Sequence, residues 1–440
     1  MAIRCWYHAA IMATKFITID RNTPMLLPLD LREWVKDDDL VHFIVDISLR
    51  VSSENARVNH RGTGSAQYPP SMMLALLLYC YSQGIYSSRK IERATYSHVS
   101  VRYLTAAHHP DHDTIAAFRN KNREFIKQAF VTTVQIAQEV GLSQFGVMAI
   151  DGTSLRANAS KKATKSYAEL RRCIEELCSD ALDRAEAADA APEQQDRMPR
   201  LSKDKIEAAI ENLKAAHAAD KAQREELKKK VEKSGVGTPP PSAPNDVPDA
   251  KTMNLTDAEC LMMHMKEGYY APGYNAQLAV DADAMLITAA TISDSVVDSN
   301  QLLGVAQESQ NNCSGSVHTV VADSGYDNNH QIHELEVEHG IHALVAVKDP
   351  HRISTKHPQS RQRKRTRAFK LKRMMELASP EGRKLIASRK CSVEPVFGTI
   401  KHAMGFRGFL QRGKEAVANE WTLVSAAFNL KRLSHLLIPA

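Results

Sequence analysis

The stretch VVADSGYDNN, residues 320–329, decides how the chain folds. Val317, Val320, Val321 and Ala322 form a small, largely β-branched apolar cluster ahead of Asp323, and Gly325 and Asn328 follow as turn formers. That is the profile of a buried strand delivering a carboxylate to its exposed carboxyl end. A similar pattern stands earlier, where FGVMAIDGTS (145–154) is a short apolar run ending in Asp151-Gly152. In open α/β sheets, sites form outside the carboxyl ends of strands, so the two acids converge if their strands are neighbours.

Reading outward, YNAQLAVDADAMLITAATISD gives two strands joined by a hairpin around Asp281 to Asp283. Residues 298–311 suit a helix, HTVVAD a strand, 329–339 a helix, and HALVAVKD a further strand ending near Lys348. From Asp151 the order is strand, helical insert, strand, strand, helix, strand, helix, strand, helix, which implies an α/β domain with a mixed sheet flanked by helices. The insert, 162–235, is rich in Ala, Glu, Lys and Arg with Leu and Ile at helical spacing, and predicts an antiparallel helical pair broken near Ala191-Pro192. The Pro-rich segment 236–250 reads as a flexible or polyproline linker.

Upstream, residues 28–140 read as helix after helix. In YPPSMMLALLLYCYSQGIYSSRKIERATY, Pro69 and Pro70 open a helix, Gly84 closes it, and Ser87 or Ser88 caps a second, basic one. This is compatible with a helix-turn-helix and equally with any helical bundle. The expected organisation is a tail at 1–20, an all-α domain at 21–140 and an α/β domain at 141–440 carrying the insert.

The composition agrees with an ordinary globular protein of two or more cores: 440 residues, 43% apolar, with a formal net charge of +6. Seven scattered cysteines without Cys-x-x-Cys pairs argue for free thiols in a reducing cytosol. The N-terminal apolar run is too short for a signal peptide, and Met12 is as good a start as Met1. The most apolar run, Met72 to Cys80, falls far below the roughly 20 residues of a membrane span.

A third acid, Glu394, lies in RKCSVEPVFGTIKHAMGFRGF. Three carboxylates with room for water are what hard Mg²⁺ accepts, and two such ions roughly 4 Å apart can assist phosphoryl transfer. Taken singly, Asp-Gly after a strand is common turn chemistry. Because Pro395 follows Glu394, the glutamate is expected at a helix start or kink, near a positive helix terminus.

The motifs AIDGT, GYNAQLAVD, VVADSGYD and VEPVFGTIK, with PLDLREWV, YPPSMMLALLLYCYSQGIYSSRKIERA and HDTIAAFRN upstream, resemble bacterial insertion-sequence transposases of the DDE type. The likeness runs from about Thr18 to near the end of the chain, in the family's order. It implies a ribonuclease H-like catalytic domain with the catalytic and metal-binding acids at Asp151, Asp323 and Glu394. It further implies Lys401, seven residues after Glu394, and Arg389 as phosphate-holding groups. Ile386 departs from the tyrosine usual at its place. The cofactor implied is Mg²⁺, two ions, with Mn²⁺ as a substitute.

Between Lys348 and Arg373 the chain carries eleven Lys or Arg against one acid, among them Arg363, Lys364, Arg365 and Arg367. Such runs are usually solvated, but beside a catalytic glutamate the natural counter-charge is a phosphate backbone. Arg407, Arg412 and Lys414 extend this surface. Recognition of DNA ends is expected from Arg89, Lys90, Arg93 and Arg102, with Arg119, Lys121 and Arg123, although an exposed basic face of a structural bundle accounts for them equally well. Trp34 and Trp421 sit among apolar neighbours and are expected in the core. The resulting expectation is a transposase acting on double-stranded DNA as a homodimer or larger synaptic complex, in the bacterial cytoplasm at the nucleoid, without a membrane partner. A structure-selective nuclease and a non-catalytic DNA-binding derivative of a transposase are the alternatives.

Overall fold

The computed structural model describes residues 30–58, 66–186, 203–348 and 361–437, excluding the side chains of 177–186 and 361–363. At its centre is β1 (Val147–Arg156). Strand β5 (Tyr270–Asp281) pairs antiparallel with β1, Met148 facing Asp281 and Arg156 facing Gly273. Strands β6 (Ile287–Ser293) and β4 (Leu261–His264) line the other edge of β5, both antiparallel. On the opposite side of β1 run β7 (Thr319–Ala322) and β8 (His342–Val345), both parallel. The order β6-β5-β1-β7-β8, three antiparallel strands followed by two parallel ones, is the ribonuclease H-like sheet that the sequence implied. The short strands β2 (Thr164–Ser166) and β3 (Thr252–Asn254) form a separate ribbon at the base of the insert.

Side chains alternate across a strand, so β1 feeds two cores. Met148 and Ile150 enter the one covered by α9 (Leu302–Asn312) and α10 (Asn329–Glu338). Ala149 and Leu155 enter the other. That second core is roofed by a helix at Pro380–Gly398, by a C-terminal helix at Lys414–Leu437, and by the N-terminal helices. These last are α1 (Leu40–Arg50), α2 (Pro70–Ser82), α3 (Ser88–Ser97), α4 (Val99–Leu104), α5 (His112–Lys121) and α6 (Arg123–Glu139).

Helix α2 is buried from Met73 through Ser82, as a helix apolar on all sides must be. It packs against the C-terminal helix, whose Trp421 is fully buried and donates from Nε1 to the Gln277 carbonyl of β5 at 3.1 Å. Asn429 of the same helix donates to Thr133 Oγ1 of α6 and to the Ile287 carbonyl of β6, and accepts from the Ile287 amide. The change of element type at 140/141 is therefore not a boundary between cores. Trp34, expected inside, is partly exposed, and the Arg102 guanidinium lies 5.5 Å from its ring centroid.

The insert forms α7 (Tyr167–Glu186) and α8 (Lys203–Ser234), which share a small core of Leu170, Ile206, Ala209, Leu213 and Met253. The expected break near Ala191-Pro192 lies outside the described residues. The segment expected as a flexible or polyproline linker packs against its surroundings: His217 of α8 meets the Pro244 carbonyl at 3.0 Å, Val236 is buried, and the Gly237 amide donates to Thr366 Oγ1 at 3.2 Å. Prolines bar the segment from regular structure but leave its carbonyls as acceptors, and α8 uses them.

Because helices and sheet share one core, unfolding followed by far-UV circular dichroism and by tryptophan fluorescence should give coincident urea transitions. Leu76→Ala, in the middle of α2, should lower stability by about 2–5 kcal/mol in both signals together.

Candidate active site and nucleic-acid interface

The parallel register of β1 with β7 ends at Ile150 opposite Ala322, so Asp151 and Asp323 follow side by side on adjacent strands. Asp323 leaves β7 at its end, but β1 does not stop at Asp151-Gly152 as expected: both residues stay paired with Leu278 and Gln277 of β5, and the strand runs on to Arg156. Asp151 accepts from the Gly152 amide at 2.8 Å. Asp323 caps the short turn Ser324–Tyr326 by accepting from the Gly325 amide at 2.8 Å. Both carboxylates are partly buried. Burial holds Asp151 above the ordinary carboxylate range; Arg389 and the Gly152 amide pull it down, while Asp323 and Asp298 push it further up.

Above this pair lies the helix Pro380–Gly398. Its start is set by Ser379-Pro380, where the Ser379 hydroxyl accepts from the Gly382 amide at 3.0 Å. Glu394 therefore stands inside the helix, near its carboxyl end, and the expectation of a helix start at Glu394-Pro395 is overturned. Pro395 is tolerated in the last turns, where its carbonyl still accepts from Thr399, and a π-turn at Thr399–Ala403 follows. The helix dipole does not favour a carboxylate there, and Arg389 supplies the positive charge instead. The buried Arg389 guanidinium donates from Nη1 to Asp151 Oδ2 at 3.1 Å, and its Nη2 lies 3.8 Å from Glu394 Oε1. It is interposed between those two acids, and the three carboxylates do not close into one tight ligand set.

Lys401, in the π-turn, donates to Thr153 Oγ1 at 2.6 Å and lies 3.4 Å from the Ser154 carbonyl. Thr153 is two residues beyond Asp151 and on the same face of β1, so the residue that anchors the lysine stands roughly 7 Å along the strand from the acid. Burial pushes the Lys401 ammonium down to about 8, with Lys266 adding to the effect and Glu267 opposing it.

Several polar groups were not singled out by the sequence reading. Asn275 and Gln277 of β5 are buried, and both donate to Asp298 Oδ1, at 2.8 and 2.7 Å. Gln277 also accepts from the hydroxyl of Tyr326, which is fully buried. The signal was present in GYNAQLAVD, where two amides interrupt an otherwise apolar, doubly buried strand. Asp327, four residues after Asp323, is almost wholly buried and bound by Arg373, by Lys370 Nζ at 2.9 Å and by the Lys348 amide at 3.0 Å. Burial alone would raise its carboxyl; these partners outweigh burial and hold it low. They anchor the basic helix Arg361–Ala378 beside the site.

The basic residues divide. Arg89, Lys90 and Arg93 on α3, Lys364 and Arg365 on the basic helix, and Arg407 are exposed; Arg367 is partly so. The Arg363 side chain lies outside the described residues. Arg119 does not face DNA: it is buried, donating from Nη1 to the Tyr81 hydroxyl at 2.8 Å and to the Tyr86 carbonyl at 3.2 Å. Its spacing on an otherwise polar helix end gave no hint of this, because the partners come from other elements. Arg389 belongs to the carboxylates, Arg123 pairs with Glu415, and Lys414 pairs with Asp294.

Oxygen donors predominate here, and Arg389 is the cation that pairs with Asp151 and Glu394. Such a site suits a hard divalent cation. Two family models match the chain, a transposase DDE domain over residues 246–430 and a transposase domain, DUF772, over residues 30–121. Together they take in more than half of the sequence. The chain belongs to the DDE transposases. No curated protein and no solved structure matches it. The family assignment makes DNA transposition and recombination the function of this transposase, and its family is divalent-metal dependent. Among the described residues no helix is long and apolar enough to cross a membrane, and the five described cysteines are free.

A glycine at 152 is required by this geometry: a Cβ there would lie 2.7 Å from Asp298 Oδ1 and would strike the Gln277 amide. Gly152→Ala should cost about 1–3 kcal/mol, read as a shift of the urea midpoint.

Proposed function

We propose that this transposase cuts DNA at the ends of its element and joins the freed ends to target DNA at one site formed by Asp151, Asp323 and Glu394. The observation that carries the proposal is the register of β1 and β7, which sets Asp151 beside Asp323, with Glu394 joined to Asp151 through Arg389. The three acids would hold two Mg²⁺ ions, or Mn²⁺ in their place. Bound there, the ions would activate the attacking oxygen and stabilise the leaving one.

In the first displacement water attacks the phosphodiester at the element end and the 3′-oxygen leaves as a hydroxyl. In the second, that hydroxyl attacks a target phosphodiester in line and expels the adjoining 3′-oxygen of the target. The protein positions the reacting groups and compensates charge, and forms no covalent bond to DNA. Lys401 holds a phosphate oxygen next to the scissile bond, since its ammonium stands on the face of β1 that carries Asp151. Arg389 keeps the Asp151 carboxylate oriented.

Residues 21–140 would read the element ends through the exposed face of α3, with Arg89, Lys90 and Arg93. Arg363, Lys364, Arg365 and Arg367, together with Arg407, would follow the backbone next to the active site in the catalytic domain at 141–440. Binding of this kind is strongly salt-dependent. Joining two ends requires a homodimer or larger synaptic complex, acting in the cytoplasm at the nucleoid.

The test is cleavage and strand transfer of DNA bearing the element's flanking ends, with Mg²⁺. Asp323→Ala should reduce both products to background while DNA binding persists; equal activity in both proteins would remove Asp323 from the site. A second measurement is the pH profile of kcat/KM, which reports groups of the free enzyme. Lys401 must be protonated to hold a phosphate, so activity should fall as pH rises through about 8. Lys401→Arg, which stays charged, should carry the plateau to about pH 10 or beyond.

A further inference from the structure

Asp298 lies in the loop between β6 and α9, outside the three acids of the proposed site, yet its contacts lead to the turn that carries Asp323. Its Oδ1 accepts from Asn275 and Gln277. Gln277 in turn accepts from the Tyr326 hydroxyl. Tyr326 closes the turn Ser324–Tyr326, whose first residue is capped by Asp323. A continuous path of hydrogen bonds thus runs from Asp298 through Gln277 and Tyr326 to the turn that aims Asp323. Gly325 shows how closely the ends of that path meet: a Cβ added there would lie 2.9 Å from Asp323 Oδ1 and 3.6 Å from Asp298 Oδ2.

The chemistry explains why a carboxylate stands at this position. The Asn275 and Gln277 amide nitrogens point at the same place, and Gln277 is fully buried. Two buried donors converging on one point need a strong acceptor, and an ionised carboxylate oxygen is the strongest available. With its nitrogen fixed, the Gln277 amide turns its oxygen to Tyr326. Without an acceptor at 298 the Gln277 nitrogen keeps only Asn275 Oδ1, at 2.9 Å, so the amide is held less firmly and the acceptor of the Tyr326 hydroxyl shifts with it.

We propose that Asp298 is a positioning residue of the active site: it locks the Gln277 amide, which holds Tyr326 and thereby the backbone turn that presents Asp323 to the divalent cation. The inference rests on the reading that Asp323 is a metal ligand. Groups that orient metal ligands from behind typically change metal affinity 10- to 100-fold when removed.

The experiment is titration of the full-length protein with Mn²⁺, reading free ion by electron paramagnetic resonance, with urea unfolding of each variant as control. Asp298→Ala should raise the Mn²⁺ dissociation constant about tenfold or more. Asp298→Asn, which keeps one acceptor oxygen for the two amides, should recover most of the affinity. Tyr326→Phe, which breaks the path at its other end, should weaken binding as Asp298→Ala does. An Asp298→Ala affinity within about twofold of native, or an Asp298→Asn variant as weak as the alanine, would overturn the proposal. If Asp298→Ala does not fold, Tyr326→Phe decides alone, an unchanged affinity overturning it. Native protein that binds Mn²⁺ no better than Asp323→Asn would sink the metal-ligand reading itself, and this inference with it.

Discussion

The parallel pairing of β1 with β7 sets two carboxylates next to each other where that pairing ends, and much of the structure answers to it. Carboxylates side by side on neighbouring strands repel, and burial adds to the cost. The fold tolerates the arrangement because backbone amides cap each acid and because one buried guanidinium, Arg389, is delivered from above. A site built this way is short of positive charge, which suits a divalent cation.

The helix that supplies Arg389 also carries Glu394 and leads into the turn with Lys401, so the second face of β1 is organised by a single continuous segment. That segment is held from the far side by the N-terminal helices. Between α2 and α3, Gly84 adopts φ +77°, and its backbone approaches the Met404 carbonyl so closely that a Cβ would sit at 2.8 Å; Tyr86 donates to the same carbonyl at 2.6 Å. A few residues on, the fully buried Glu420 accepts from the Leu410 and Gln411 amides at 2.9 and 3.0 Å, close to Tyr81 and Arg119. The helices expected to bind DNA ends are thereby packed directly against the loop that follows the proposed phosphate-holding lysine. Movement of one would be felt by the other through a shared, tightly packed core.

Much of the sheet was legible in the sequence because each strand carries its own signal: short apolar runs, β-branched residues and, after Asp323, turn formers. Gly152 after Asp151 read as a turn and instead continues β1, because β5 goes on pairing with it. The alternation of strands and helices then left few topologies open. What misled was the grammar of proline. Glu394-Pro395 looked like a helix start, whereas the true start is Ser379-Pro380, which has both the cap and the proline. The Pro-rich segment looked like a flexible or polyproline linker and is packed. In both cases the local rule is sound, and surrounding contacts chose which of two equivalent signals prevailed.

By itself the sequence determined which strands carry the carboxylates, that a helical insert separates the first strand from the second, and which helix is apolar enough to be central. These depend on spacing and residue type, which act over a few positions. Only the tertiary structure decided that Arg119 is buried while Arg89, Lys90 and Arg93 are exposed, that Arg389 bridges Asp151 and Glu394, and that Asp298 joins the site through Gln277 and Tyr326. Apart from Arg389 and Glu394, which share a helix, the partners in these contacts lie tens to hundreds of residues apart, and an ionisable group's role depends on what is folded against it.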